Sequence, residues 1–243
     1  MFSRTIRFTQ IPRTQIVVSD TYNHCLWLLD RVTGSTSLFA GECTKKGYQN
    51  GHAASFHYPY SVALDVKNRS QLIVADKSNN ALRSVDIQSR VVSTLVKMNA
   101  TIDVRSFTQD KQSGDFMLVA GTKIYRYNYI RKEVSHIAGR RDSAFSVYTD
   151  SNLEYSVFKD LTDITALDST TYIVADYGRI RLVDLVHDKI GTLFFEFKKC
   201  GPDIGGLQPL YSKRTPPGYS SLLVINGTLL IGRLGSIVKG MCL

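Results

Sequence analysis

Short runs of β-branched and aliphatic residues recur along the chain, each ending on a polar residue and followed by a polar turn and a second apolar run. The clearest copy is Ile16-Val17-Val18-Ser19-Asp20, the turn Thr21-Tyr22-Asn23-His24, and an apolar run closing at Asp30. The same order returns at Leu72-Ile73-Val74-Ala75-Asp76, then Lys77-Ser78-Asn79-Asn80, closing at Asp86. It returns again at Tyr172-Ile173-Val174-Ala175-Asp176, closing at Asp184, with degraded copies at Met117–Gly121 and Leu229–Arg233. Runs of this length between Gly, Asn and Asp clusters predict strands, and no stretch sustains a helical period.

Thr5 to Asp20 lies over Ser61 to Asp76 without a gap, placing Phe8 opposite Leu64, so the first residues are already part of a repeat. Each unit reads as four short strands. In the first they fall near Thr5–Thr9, Gln15–Ser19, His24–Leu29 and Ser35–Ala40. Landmarks advance by 56, 45, 55 and 57 residues, from Asp20 through Asp76, Gly121 and Asp176 to Arg233. A four-stranded unit at that period cannot bury both faces alone and must stack on its neighbours around an axis. The expected fold is an all-β propeller, residues 1–243 forming one domain of four blades plus three strands of a fifth, or part of a larger ring.

Several segments together resemble the NHL repeat: Ile16 to Asp30, Leu38-Phe39-Ala40-Gly41, Gly47 to Gly51, Phe56-His57-Tyr58-Pro59 and Ser61 to Asp65. The likeness is closest through Asp86, returns over Ala138 to Asp184, and departs where Gly121 replaces the turn Asp. It implies an NHL-type propeller. Some NHL-like propellers are zinc-dependent amidating lyases whose metal histidines follow the Pro opening the inner strand. Here that place reads Pro59-Tyr60-Ser61, with Tyr where His is required.

The repeated polar residues Asp20, Asn23, Asp76, Asn79 and Asp176 are expected to be structural. An Asp at a strand end accepts from the N–H groups of the following turn, and Asn tolerates the left-handed backbone such turns use. Recurrence favours that role, because a catalytic site needs its residues once. Phe56 and Phe158 are expected to fill the wedges between blades, as is Trp27. Four cysteines, Cys25, Cys43, Cys200 and Cys242, match no close-pair zinc spacing. Cys25 on a third strand and Cys43 just past the fourth strand of the same blade are candidates for a disulfide, and Cys200 has only Cys242 left as a partner. A disulfide implies an oxidising compartment, and the sequons at Asn68, Asn99 and Asn226 point to a glycoprotein. The alternative location is cytoplasmic. No apolar h-region follows Met1, so no signal peptide is expected, and no run predicts a membrane-spanning helix.

Charge sharpens where function would sit. Lys and Arg exceed Asp and Glu by 30 to 21, a net +9. In a four-strand meander, the second-to-third turns and the blade-to-blade crossovers share one end. The crossovers are long, about Gly41–Pro59, Gly139–Asp160 and Lys198–Ser220, and long loops on a rigid scaffold carry binding. They hold four basic doublets, Lys45-Lys46, Arg140-Arg141, Lys198-Lys199 and Lys213-Arg214, interleaved with Tyr48, Tyr148, Tyr155, Tyr211 and Tyr219. The expected role is a non-catalytic interaction module using this face for a protein or acidic glycan, with no cofactor and no metal. The alternative is RNA binding through phosphate contacts and base stacking. A hydrolase or lyase is the third reading, and it lacks support: His24, His52, His57, His136 and His187 fall at unrelated blade positions, and nucleophile motifs are absent.

Overall fold

The computed structural model describes residues 5–11, 14–99, 102–140, 149–193, 219–225, 228–233 and 236–242. They form four four-stranded antiparallel sheets and one of three strands. Blade 1 comprises β1 (Thr5–Gln10), β2 (Gln15–Asp20), β3 (Cys25–Asp30) and β4 (Thr36–Ala40). Blade 2 comprises β5 (Pro59–Leu64), β6 (Gln71–Asp76), β7 (Ala81–Asp86) and β8 (Val92–Lys97). Blade 3 comprises β9 (Val104–Gln109), β10 (Phe116–Ala120), β11 (Lys123–Asn128) and β12 (Glu133–Ala138). Blade 4 comprises β13 (Leu161–Ala166), β14 (Thr171–Asp176), β15 (Arg179–Asp184) and β16 (Lys189–Thr192). The three-stranded sheet is β17 (Tyr219–Ile225), β18 (Thr228–Arg233) and β19 (Ser236–Cys242). Helix among the described residues amounts to two single 3₁₀ turns, Thr21–Asn23 and Lys77–Asn79.

The first strands converge: β1 packs on β5, β5 on β9, β9 on β13 and β13 on β17. Second strands are the most buried because neighbouring sheets cover both faces. Leu72 to Asp76 and Tyr172 to Asp176 are buried throughout, which explains their near-continuous apolar sequence. Phe56 fills the wedge between blades 1 and 2 among Val17, Leu26, Phe39 and Val74, and Phe158 does so between blades 3 and 4 among Met117, Ile124, Leu161 and Val174. Burial of each such ring stabilises by about 2–3 kcal/mol. Trp27 is only half-buried.

Two alignments drawn from sequence shift. Phe8 pairs with Val18 as Val62 pairs with Val74, so Phe8 matches Val62 rather than Leu64. The turn between Gln10 and Gln15 is two residues shorter than that between Leu64 and Gln71, which accounts for the whole shift, and the register break near the start of the first strand is common to both blades. In blade 3, Ala120 pairs with Val104 as Asp76 pairs with Pro59 and Asp176 with Leu161. The place of the strand-end Asp is therefore taken by Ala120, with Gly121 beginning the turn.

The corrected register puts Arg7, Ser61, Ser106 and Asp163 at one level of the four inner strands. Asp163, 2% exposed, is their hub. It accepts from the Ser106 hydroxyl at 2.6 Å and the Ile164 N–H at 2.9 Å, pairs with the Arg7 guanidinium at 2.5 Å, and accepts from the Leu222 N–H of β17. One carboxylate thus ties the first, third and fourth blades and the three-stranded sheet.

The end away from the long crossovers is built from Asx turns. Asp30, Asp86 and Asp184, which close the third strands, each accept with Oδ1 from the N–H groups two and three residues on. Asn128 does the same in blade 3. Asp110 and Asp168 repeat the device between first and second strands. The Ser89 amide holds the Asp86 carboxyl below its usual 3.8, the Thr33 amide acts likewise on Asp30, and the Thr170 amide on Asp168. A carboxyl depressed by folding contributes stability that is complete above the unfolded value near 3.8 and is lost as pH falls through the lower folded value. The thermal midpoint is therefore expected to fall below pH 4. Asp86→Asn, which keeps the acceptor and removes the charge as Asn128 does naturally, should fall less steeply there. An unchanged midpoint between pH 5 and 3 in the native sequence would contradict the assignment.

Candidate functional site

The long crossovers and the second-to-third turns meet at one end of the blades, as backbone bonds between them record. Thr44 N–H donates to Asn23 O at 2.7 Å, Ser78 N–H to His57 O at 3.0 Å, and Tyr177 N–H to Asp160 O at 3.1 Å. By contrast, the connection from β8 to β9 is only Met98–Asp103.

Buried Asp–Arg clamps hold the long crossover before blade 2 and, of the one before blade 4, the described stretch 149–157. Asp76 and Arg83 are both fully buried and pair at 2.8 Å. Arg83 also donates to Gln49 O and Asn50 Oδ1, both at 2.7 Å, and to Ser55 O at 3.3 Å. Blade 4 repeats the arrangement: Arg181 pairs with Asp176 at 3.1 Å and with Asp150 at 2.8 Å, and donates to Thr149 O and Val157 O. The guanidiniums rest near Phe56, at 5.4 Å, and Phe158, at 4.6 Å from the ring centres. Each crossover then bridges its own blade's outer strand, Gly51 to Val92 and Ser151 to Ile190. At the paired position blade 1 has Trp27 and blade 3 has Tyr125. In blade 3 no long crossover precedes the sheet, so there is nothing to clamp.

These contacts revise the expected role of the strand-end Asp. Neither Asp20 nor Asp76 accepts a capping bond from the turn that follows it. Asp76 Oδ1 accepts instead from the His57 N–H at 2.8 Å, and Asp176 Oδ1 from the N–H groups of Lys159 and Asp160. Asn23 and Asn79 donate to Asp20 and Asp76 at 2.9 and 2.8 Å, and Asn79 also to Gly47 O in the crossover. Burial pushes the Asp76 carboxyl above its ordinary value, opposed by Asn79, the His57 amide and Arg83. Left-handed backbone is supplied by His24 and Asn80, one residue beyond the Asn positions.

At the junction of blades 1 and 2, Cys25 and Cys43 form a disulfide across 18 residues of sequence. Beside it lies an aromatic cluster that sequence reading did not assemble. The Tyr58 N–H donates to His24 Nδ1 at 3.2 Å, His57 stacks on Tyr58 at 5.1 Å, and Tyr22 meets Tyr58 edge-on at 5.5 Å. The His57 ring also meets that of His24 edge-on, at 5.5 Å. Burial lowers the pKa of both imidazoles, His57 and Lys46 adding to the effect on His24, and Lys46 to that on His57.

The doublets are only partly visible. Lys45 is exposed and pairs with Glu42 at 2.9 Å; Lys46 is exposed beside the two histidines; Arg140 is exposed on the crossover before blade 4. Arg141, Lys198, Lys199, Lys213 and Arg214 lie outside the described residues, as do Cys200, Tyr148 and Tyr211. Tyr48 is held between Arg83 at 4.8 Å and Lys97 at 4.1 Å, whereas Tyr155 is 59% exposed. Other cations of this end are matched by acids of the following blade: Lys77 pairs with Asp103 at 3.1 Å, and Arg105 with Asp160. Among the described residues no three His, Cys, Asp or Glu side chains group as metal ligands, and no helix is long and apolar enough to cross a membrane.

No protein-family model matches the chain, and no curated protein matches its sequence. Solved structures similar to it are β-propellers. A nidogen/laminin complex matches with TM-score 0.62 and 9% identity over 93% of this chain and 71% of that one. Virginiamycin B lyase from Staphylococcus aureus matches at 0.58 and 14% over 95% of this chain, which spans 63% of the lyase. A protein of unknown function from Bacteroides thetaiotaomicron matches at 0.60 and 12%, covering 97% of this chain and 68% of that one. At these identities the likeness shows the all-β propeller fold alone.

Proposed function

We propose that this β-propeller is a non-catalytic, NHL-type interaction module of the extracellular space, with β17–β19 belonging to a fifth blade. Its long-loop end would bind an acidic protein or glycan. The observation that carries the reading is the repeated clamp. Buried arginines spend their hydrogen bonds on crossover carbonyls, fixing 49–55 before blade 2 and the described stretch 149–157 before blade 4, while Lys46, Arg140 and Tyr155 are exposed. A preorganised loop loses little freedom on binding. The Cys25–Cys43 disulfide supports an oxidising location. Asn68 and Asn99 are exposed, as glycan acceptors would be. The nidogen/laminin complex among the structural neighbours is compatible with protein binding, and the lyases among them keep a catalytic alternative in view.

Reversal of Lys45, Lys46 and Arg140 to Glu is expected to lower retention on a sulfated-glycan column, so that elution moves to much lower salt. Melting should stay within about 1 kcal/mol of the native sequence, because all three residues are exposed. Unchanged elution would remove the acidic-ligand reading. Stronger retention on homopolymeric RNA than on the glycan would favour the RNA alternative.

A further inference from the structure

The aromatic cluster between blades 1 and 2 is not consumed by the clamp. Backbone bonds fix it on several sides: Lys77 N–H donates to Tyr58 O at 3.2 Å, Ser78 N–H to His57 O at 3.0 Å, and His57 N–H to Asp76 at 2.8 Å. The Tyr58 N–H donates to the lone pair of His24 Nδ1, which with burial favours the neutral form of that ring, 8% exposed. His57 is more open, and Tyr22 is 48% exposed. The charged groups acting on His57 are Lys46 from the crossover, Lys77 from the turn after β6, and Asp76 beneath it. His24 and Tyr58 are its titratable ring neighbours, and Lys77 is itself paired with Asp103 at 3.1 Å.

We propose that Tyr22, His57 and Tyr58, with Lys46 and Lys77, form the subsite for one sugar unit of a sulfated or carboxylated glycan, and that His57 takes up a proton from solvent as the acidic group binds. This rests on the acidic-ligand reading above and commits it to a glycan. Tyrosine and imidazole rings give a sugar's C–H groups a flat apolar surface, while Lys46 supplies the charge that an anionic substituent needs. With the site empty, burial and the repulsion of Lys46 and Lys77 hold His57 below its ordinary 6.5. An anion beside Lys46 offsets that repulsion and favours imidazolium. Linkage then requires the converse: the ligand binds more tightly as pH falls through the region where His57 titrates.

The test uses the full chain and a heparin-type sulfated oligosaccharide at constant ionic strength, with affinity measured at pH 7.5 and 5.5. A pKa rise of about one unit corresponds to roughly 5-fold tighter binding at pH 5.5 than at pH 7.5. In His57→Gln the ratio of the two affinities should collapse to about 1. Because that substitution disturbs the stack, a second measurement uses the native protein alone: the NMR titration of the His57 ring should move to higher pH with saturating oligosaccharide. An unmoved titration, or a pH gain that survives in His57→Gln, overturns the proposal. Binding with no pH dependence overturns it while leaving the acidic-ligand reading intact, and no binding at either pH overturns both. Full displacement of the oligosaccharide by stoichiometric homopolymeric RNA overturns the choice of a glycan.

Discussion

Arg83→Ala is expected to cost about 3–5 kcal/mol of folding stability, the largest effect of any single substitution considered for this chain. The change removes one donor from each of three crossover acceptors, which keep one other apiece, and leaves Asp76 without its positive partner in a site from which water is excluded. Asp76 keeps the His57 amide and Asn79, which offset part of the loss but carry no full positive charge. For a domain of this size the midpoint should fall by roughly 10 °C. Arg83→Ala with Asp76→Leu should recover part of the loss, because removing both partners avoids the stranded charge. Thermal melts of the single and double variants check this. A fall of under 1 kcal/mol in the single variant would mean that Arg83 does not hold the loop. Arg126 is the contrasting case: its side chain is 44% exposed, and the Asp115 it contacts also accepts from the Asn128 side chain and the Tyr129 N–H. Arg126→Ala should therefore cost much less, as partly exposed pairs do.

Breaking the Cys25–Cys43 disulfide comes next. Closing a loop of 18 residues constrains the unfolded chain by about 3 kcal/mol. Cys25 is fully buried against the blade, so Cys25→Ala with Cys43→Ser removes the link without burying a charge. The loss should lower the midpoint of the whole transition, and amide exchange should rise most at the seam of blades 1 and 2, where Thr44 N–H meets Asn23 O. Thiol counting and melts of native and double-variant protein check it. Free thiols at both positions in protein purified without reductant would dismiss the bridge and the extracellular location inferred from it.

The strands were readable because burial on both faces leaves one composition open to a second strand, and Leu72–Asp76 and Tyr172–Asp176 both have it. The clamp was half readable. Its aspartates stand out by repetition, but Arg83 follows Asp76 by seven residues and Arg181 follows Asp176 by five. Different turn lengths hide that both arginines face the same rung of the second strand, paired with Val74 and Val174. The donors to Asp76 and Asp176 were misplaced for the same reason, since a turn seen in sequence supplies nearby donors while the fold supplies the crossover. The His24–His57 contact joins a turn of one blade to the crossover leading into the next. No periodicity links positions that far apart, and only the packing of blade on blade brings them together.

The link from Arg7 to Asp163 bears on how the molecule comes apart. A row of repeats that touch only their neighbours can fray inward from either end, each unit leaving at its own cost. Here the first unit is fastened directly to the fourth, and the same carboxylate holds the sheet beyond it. Terminal peeling must break that junction first. Melting of the described blades should therefore follow one cooperative transition more closely than a staircase of separate losses.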